Sequence, residues 1–579
     1  MDVTQRAVQK HNFWCESDAI DPATKAELLG IENNPAEIFD RFYKDLAFGT
    51  GGLRGRMGAG TNRMNIYTVR KATQGLADAV LDENGAGKGV AIAYDSRNMS
   101  AEFAEEAALC LCANGIEAYV FESLRPTPVL SFAVRELGCM AGIVITASHN
   151  PPEYNGYKVY WEDGAQITYP KDEEIIGFVN AVTDFSQVKT MDRAAARASG
   201  LYHVIGEKID AKYMAALKKS VLSPDSMRSQ AKSLSIVYSP LHGTGNKPVR
   251  RILKEQGFEN VNVVTEQAEP NGGFPTVHSP NPEDPAAFVL ALELAKKVDA
   301  DIVLVTDPDA DRLGVAVKDG KNGSFCNLNG NMTGMIIGEY LLEQRRMKGL
   351  LPQNGAIVTT IVSTKMAGAV ADYYGVRLVE TLTGFKYIGE QIKLFEQNGS
   401  YEYLFGFEES YGCLVGTHAR DKDAVEAVMV LCEAAAYYKS KGLTLWDQME
   451  RLYKKYGYYK EGLATMTLEG AEGAQHITDM IEQLRKSPPE KIGAYEVRCF
   501  KDYGQGTATT FPGKTTTIID LPGSNVLYFD LAEDAWCCVR PSGTEPKIKI
   551  YTGVKGDSLE DAAVKLEVLT NSIMQIVQG

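Results

Sequence analysis

Along most of the chain, short apolar runs alternate with stretches in which apolar residues recur every three or four positions. The first run, Gly89–Arg97 (GVAIAYDSR), is small and β-branched, as a strand covered on both faces requires. Behind it Phe103, Ala104, Ala107, Ala108 and Leu111 fall at helical spacing, with Ser100 as the expected N-cap and Gly115 as the stop. Glu117–Glu122 then reads as a strand, Pro128–Leu137 as a helix and Ala141–Ala147 (AGIVITA) as a third strand. Such a βαβαβ unit implies parallel pairing with helices over the faces.

The rhythm returns twice. Strands at Leu234–Ser239, Val261–Thr265 and Asp301–Thr306 enclose a helix after Pro248 and another opened by Asp284-Pro285, a cap followed by an N1 proline. Helices at Met335–Glu343, Thr364–Tyr374 and Tyr387–Glu396 then alternate with strands at Ala356–Ile361, Val376–Glu380 and Tyr401–Phe405, and residues 423–457 are helix-rich. Beyond Tyr459 come short alternating segments and a capped C-terminal helix, Ser558–Val577. The pattern predicts an α/β protein: three similar α/β domains plus a C-terminal α+β domain, divided as 1–205, 206–320, 321–458 and 459–579. The length of 579 residues agrees with about 150 residues per domain. The segment before Phe42 reads as a helical extension on the first domain.

Composition narrows the function classes. Hydrophobic residues at 44% and charged residues at 23% are the balance of a globular chain. No apolar run approaches the ~20 residues of a membrane span, and the N-terminal MDVTQRAVQKHNFWCE has no apolar signal core, so a cytoplasmic protein is expected. A net charge of −15 argues against nucleic-acid or anionic-membrane partners. The ten cysteines contain no C-x-x-C pair and read as reduced, buried thiols.

Chemistry is expected in the polar loops at strand ends, where open α/β sheets bind ligands. Thr146-Ala147-Ser148-His149-Asn150-Pro151 follows AGIVITA directly and is either an ordinary loop or an exposed nucleophile. No G-x-S-x-G frame surrounds Ser148, and Asn155-Gly156-Tyr157-Lys158 reads as a turn delivering a lysine, which suits phosphoryl transfer better than acyl transfer. Asp307-Pro308-Asp309-Ala310-Asp311-Arg312 follows DIVLVT. Carboxylates at i, i+2 and i+4 in a non-helical loop converge on a hard cation such as Mg²⁺ or Ca²⁺, or form a solvated acidic turn. An EF-hand is excluded, since Arg312 and Lys318 occupy the glycine and glutamate positions.

Three further stretches carry weaker signals. Gly406-Phe407-Glu408-Glu409-Ser410-Tyr411-Gly412 offers acceptors for sugar hydroxyls, or is a charged turn, with Arg420 and Lys422 close behind. Arg540-Pro541-Ser542-Gly543-Thr544-Glu545-Pro546-Lys547 is a phosphate cradle or a β-turn. Phe48–Gly55, ending in Arg54-Gly55, can bring backbone N–H groups and a guanidinium against an anion, but it is neither G-x-G-x-x-G nor a P-loop.

Taken in order, TASHNP, DPDADR, GFEES and RPSGTEP resemble the α-D-phosphohexomutase family over about residues 45–555, and the Glu-Glu-Ser-Tyr-Gly form resembles its phosphoglucomutase branch, in particular the long bacterial members. Phosphomannomutase-like members carry a histidine after Ser-Gly, where this chain has Tyr411-Gly412-Cys413. The resemblance implies four domains around a central cleft and interconversion of glucose 1-phosphate and glucose 6-phosphate through a phosphoserine and glucose 1,6-bisphosphate. Phosphopentomutase or phosphomannomutase activity, or a metal-dependent sugar phosphatase, are the alternatives. By the same resemblance Ser148 carries the phosphoryl group, and Ser148, Asp307, Asp309 and Asp311 hold one Mg²⁺. Arg54, Lys158 and Arg312 are cations near the transferring group; His149, Lys158 and Lys422 are the acid–base candidates. Thr383, Gly384, Lys386, Glu408 and Ser410 contact the sugar, and Arg540, Ser542, Gly543 and Thr544 its non-reacting phosphate. Glucose 1,6-bisphosphate is the implied activator, a small phosphosugar the partner, and a monomer or weak homo-oligomer the assembly.

Overall fold

The computed structural model describes residues 2–49, 51–468, 470–541 and 547–578. The chain divides into two compact bodies, one of Met1–Thr333 with Phe385–Thr444, the other of Gly334–Gly384 with Leu445–Gly579.

In the first body a six-stranded sheet runs in the order Gly52–Arg56, Tyr154–Trp161, Ala141–Ile145, Val90–Tyr94, Ala118–Phe121, Tyr202–Ile205. The last four strands of that order are parallel, as the apolar runs require, and the helices Ser100–Ala113 and Thr127–Leu137 bury Phe103, Leu111, Leu130 and Val134 against them. Two details differ from expectation. Met99, not Ser100, stands at the cap, because the Ser100 hydroxyl is inside the helix and donates to Asp95 Oδ1 at 2.7 Å. Asn155–Lys158 is no turn: it lies in the strand Tyr154–Trp161, antiparallel to Ala141–Ile145 with Lys158 opposite Val144. Gly156 is needed there because a Cβ would meet the Thr146 carbonyl oxygen at 2.4 Å. The glycine-rich stretch before it also turns into a strand, Gly52–Arg56, which places Arg54 opposite Gly156.

The second sheet has the order Phe325–Leu328, Leu313–Lys318, Ile302–Thr306, Ile236–Ser239, Val261–Val263. Its helix Asn246–Glu255 opens before Pro248, which sits in the first turn where a missing N–H costs nothing. Asp284 caps a short 3₁₀ turn, Pro285–Phe288, that continues into Val289–Val298. The same body holds the hairpin Glu402–Glu408 with Gly412–Leu414 and the buried helix Ala424–Ser440.

Three N-terminal helices, Val3–Glu16, Pro22–Leu29 and Pro35–Phe42, form a satellite core of Trp14, Leu28, Ile38 and Phe42 over Ala59 and Tyr67. The Tyr67 hydroxyl fixes them by donating to Asp21 Oδ2 at 2.7 Å.

In the second body Gly355–Thr360 and Arg377–Thr381 pair in parallel. Its C-terminal part is an antiparallel sheet from Tyr458–Thr467 to Thr515–Ile518, covered by Leu559–Gln578 through Leu569, Ile573 and Val577. The helix Gly470–Lys486 interrupts what the sequence presents as short alternating segments. Among the described residues no helix is long and apolar enough to cross a membrane.

Candidate active site

The strand Ile302–Thr306 is buried along its whole length and releases the chain into Asp307–Arg312, whose three carboxylates are all buried. Each is placed by a different contact. Asp307 Oδ1 accepts the backbone N–H groups of Asp311 (3.1 Å) and Arg312 (3.0 Å), closing the loop on itself. Its Oδ2 accepts the Ser148 hydroxyl at 2.8 Å. Asp309 Oδ2 accepts Lys158 Nζ and Thr127 Oγ1, both at 2.8 Å, and the Thr127 N–H donates to the Asp309 carbonyl. Asp311 Oδ2 faces Lys422 Nζ at 3.2 Å and Lys158 Nζ at 3.4 Å. Ser148, drawn from a loop 159 residues away in sequence, thus sits on the carboxylate cluster.

Three carboxylates so close cannot share one titration behaviour. Burial, with Asp309 and Asp311 alongside, pushes the Asp307 carboxyl well above the usual range. Burial acts the same way on Asp309, but Lys158 and the hydrogen bonds outweigh it and hold that carboxylate low. On Lys158 and Lys422 burial favours the neutral amine, yet the facing aspartates keep both above their ordinary value and charged. His149 is different. Burial, together with Arg312 and Arg54, drives it well below its ordinary value, so it is a neutral imidazole whose Nδ1 lies 3.0 Å from Ser148 Oγ.

The three acids place ligand atoms within 4.8 Å of one another, and the buried Asp309 Oδ1 and Asp311 Oδ1 have no hydrogen-bond partner among the described residues. Unpartnered anionic oxygens in a dry pocket fit a hard divalent cation. His418, Asp423 and Glu426 form a second compact group, but there the oxygens are occupied. Asp423 accepts the Tyr213 hydroxyl, His418 Nε2 and the N–H groups of Val425 and Glu426; Glu426 accepts Ser220 Oγ and the N–H groups of Val415 and Gly416. That group is a satisfied ion cluster.

Several remaining sugar and cation candidates of the first body lie beside this loop or the Ser148 loop. The hairpin carrying Glu408 (buried) and Ser410 (half-buried) accepts the Leu313 N–H at the Tyr411 carbonyl, 2.9 Å, directly after the aspartate loop. A Cβ on Gly412 would strike the Lys422 side chain at 2.0 Å, so only glycine leaves that lysine its path. Arg312 pairs with Glu283, and Arg54 Nη1 donates to Asn150 Oδ1 at 3.4 Å. Lys386 lies 3.8 Å from Asp172, its ammonium weakened by burial. Thr383, Gly384 and Arg540 belong to the second body, Arg540 at the end of the strand Trp536–Pro541; Ser542, Gly543 and Thr544 lie outside the described residues. Two contributors carry no motif in the sequence: Thr127, and the pair Tyr160–Asp421, in which Asp421 accepts Tyr160 (2.6 Å) and Lys422 Nζ (2.9 Å). The polar stretch Arg420–Asp423 hints at the second pair, whereas nothing local marks Thr127.

The sequence matches family models described as phosphoglucomutase/phosphomannomutase: alpha/beta/alpha domain I over residues 45–185, domain II over 211–320, domain III over 329–456 and the C-terminal domain over 521–570. A phosphoglucomutase of Staphylococcus aureus (strain MRSA252) is 37% identical over 540 residues, covering 93% of this chain and 95% of that protein. The chain belongs to this family. A second S. aureus phosphoglucomutase (strain bovine RF122 / ET3-1) is 36% identical over 97% of this chain and 99% of its own length, which sets the chain on the phosphoglucomutase branch of the α-D-phosphohexomutases, isomerase-class phosphotransferases. Solved structures share the fold. Paramecium pp63/parafusin has a TM-score of 0.67 at 17% identity, covering 93% of this chain and 96% of that one. A phosphoglucomutase/phosphomannomutase family protein of Burkholderia thailandensis gives 0.66 at 18%, covering 92% and 97%. Of the two groups among the described residues that could hold a metal, the aspartate triad is the one with carboxylate oxygens that accept no hydrogen bond.

Proposed function

We propose that the protein is a phosphoglucomutase that interconverts glucose 1-phosphate and glucose 6-phosphate by way of phosphorylated Ser148 and glucose 1,6-bisphosphate. The observation that carries this reading is the 2.8 Å bond from Ser148 Oγ to Asp307. It puts the acceptor oxygen on the metal loop itself, a geometry a simple phosphatase with a water nucleophile does not need.

Asp307, Asp309 and Asp311, with an oxygen on Ser148, would hold Mg²⁺, which when bound neutralises charge on the transferring phosphoryl group. In the forward step the Oγ–P bond of phosphorylated Ser148 breaks and a bond from phosphorus to a sugar hydroxyl oxygen forms. The hydroxyl proton ends on Ser148 Oγ, and His149 Nδ1 is the neutral group within reach of that oxygen. Lys158 and Lys422, kept charged by the aspartates, donate to phosphoryl oxygens, with Arg312 and Arg54 beside them. The bisphosphorylated sugar then turns to offer its other phosphate to Ser148: the bond from that phosphorus to its own sugar oxygen breaks, a bond from it to Ser148 Oγ forms, and the Ser148 proton ends on the released sugar oxygen. Glu408, Ser410 and Lys386 of the first body take sugar hydroxyls.

The test is conversion of glucose 1-phosphate by purified protein with Mg²⁺ and a trace of glucose 1,6-bisphosphate, run beside mannose 1-phosphate and ribose 1-phosphate. Highest kcat/KM on glucose 1-phosphate is expected; a preference for either other sugar reassigns the substrate, and free phosphate as main product rejects the mutase.

A further inference from the structure

The Ser148 loop is held from beneath by one side chain. Arg97 follows the strand Val90–Tyr94, and its side chain is 0% exposed, as is that of Asp95. The four N–H bonds of its two terminal nitrogens all point at the nucleophile loop. Nη2 donates to the Ser148 carbonyl at 2.6 Å and to the Asn150 carbonyl; Nη1 donates to the carbonyls of Pro151 (2.9 Å) and Tyr154 (3.1 Å). Its Nε lies 3.4 Å from Asp95 Oδ2, which supplies the counter-charge a buried guanidinium needs.

The support is itself supported. Asp95 Oδ1 accepts the Arg97 N–H (2.9 Å) and Ser100 Oγ (2.7 Å), and Asn155 Nδ2 ties the Asn98 carbonyl and Ser100 Oγ, each at 3.0 Å. From the other side the Phe274 ring covers the guanidinium at 5.0 Å, and Ser279 Oγ donates to the His149 carbonyl at 2.9 Å. What all this fixes is a strained backbone, since Ser148 has a φ of 51°, a region L residues visit rarely.

We propose that Arg97 is the positioning residue of the phosphoryl-carrying loop: its planar fork gathers four carbonyls, keeps Ser148 in the left-handed conformation and thereby aims Oγ at Asp307. The proposal rests on the reading of Ser148 as phosphoryl carrier. Arg97, fully covered, touches neither sugar nor phosphate, so its effect runs through the loop. Only arginine offers this number of donors in one plane; the three donors of lysine radiate from a point and cannot meet four converging carbonyls.

Arg97→Lys keeps the charge opposite Asp95 and removes the fork. Its kcat for glucose 1-phosphate is expected to fall about 10²-fold, the cost of an ångström-scale misplacement, with KM within about threefold of the native value. Phosphorylation of Ser148 by stoichiometric glucose 1,6-bisphosphate, followed by mass spectrometry, should slow in parallel, while near-UV circular dichroism stays native. A folded R97K with native kcat, or one in which kcat and KM worsen equally, overturns the proposal. Should R97K not fold, Ser100→Ala decides, because it loosens Asp95 without touching the loop: a several-fold loss in kcat at constant KM supports the assignment, and native kcat refutes it. Ser148→Ala run alongside separates the two claims. Turnover that survives S148A rejects the phosphoserine route itself, whereas loss in S148A with native R97K rejects only the role of Arg97.

Discussion

Replacing Asp309 by asparagine separates metal binding from sugar binding, and the structure indicates by how much. The two oxygens of Asp309 do different things: Oδ2 accepts both Lys158 and Thr127, while the buried Oδ1 has no hydrogen-bond partner among the described residues. An asparagine can keep both existing contacts by placing its carbonyl oxygen where Oδ2 stands. Its NH₂ group then falls where the bare oxygen was, so a donor points at the metal position in place of an anion. Lys158 retains Asp311 at 3.4 Å, and the fold should lose only about 1–2 kcal/mol, the worth of one charge-assisted hydrogen bond. Metal affinity should suffer far more. Losing one partner of a buried charge contact costs about 3–5 kcal/mol, or roughly 10²–10⁴-fold in Kd.

The assay is calorimetric titration of D309N with Mg²⁺ in the absence of sugar, followed by kcat and KM for glucose 1-phosphate at saturating metal. Weak metal binding, depressed kcat and a KM within about threefold of native are expected, since a lost transition-state interaction lowers kcat without raising KM. Native Mg²⁺ affinity in D309N, or equal loss of metal and sugar binding, would refute the assignment of the bare oxygen to the cation.

Ser148→Ala should abolish turnover and remove the phosphate from the 146–151 peptide, read by mass spectrometry; a phosphopeptide elsewhere would move the carrier. Against the pull of burial, Glu426 and Asp423 hold the His418 imidazolium above its ordinary value. A raised folded value stabilises fully below the unfolded value of about 6.5 and fades as pH climbs through the folded one, so the Tm gap between native protein and H418Q should be wider near pH 6 than near pH 9. A gap that widens toward alkaline pH would show that the cluster holds a neutral imidazole. Trp14 is 3% exposed and meets Phe42, Tyr67 and Phe185 edge-on, so W14A should cost about 3–5 kcal/mol in denaturant melts while kcat stays native; a loss of kcat in folded W14A would tie the N-terminal helices to the chemistry.

Much of the fold was legible because parallel strands covered on both faces are continuous apolar runs, and the loops that follow Val90–Tyr94, Ala141–Ile145 and Ile302–Thr306 carry Arg97, Ser148 and the three aspartates. The failures share one cause, which is that a local signal has a second use at a distance. Asn155-Gly156 has the composition of a turn, yet Asn155 is fully buried and ties Asn98 and Ser100, and Gly156 admits the Thr146 carbonyl. Ser100 has the position of a cap but spends its hydroxyl on Asp95. Asp95-Ser96-Arg97 ends an apolar strand with a charged pair, the single local mark of the support beneath Ser148, and it passes for an ordinary polar strand end until the loop is seen above it.

The cation site shows the same limit from the other direction. Spacing at i, i+2 and i+4 gathers three acids, but acids also gather at His418, Asp423 and Glu426, where spacing is equally suggestive. The difference lies in which oxygens the rest of the protein has already used. Around Asp423 and Glu426 backbone N–H groups, Tyr213 and Ser220 fill the acceptors, and the charge of His418 completes the balance. Around Asp309 and Asp311, Lys158 and Lys422 approach one oxygen of each carboxylate, and the other oxygen accepts no hydrogen bond among the described residues, with Arg312 Nε 3.9 Å from Asp311 Oδ1. Those lysines come from the interior strand Tyr154–Trp161 and the entrance of the helix Ala424–Ser440, far apart in sequence, so no local window contains the information. Leaving two buried anionic oxygens without a hydrogen bond lowers the stability of the metal-free protein. A divalent cation bound there would recover that cost, and the oxygens without a hydrogen bond distinguish this cluster from the satisfied one.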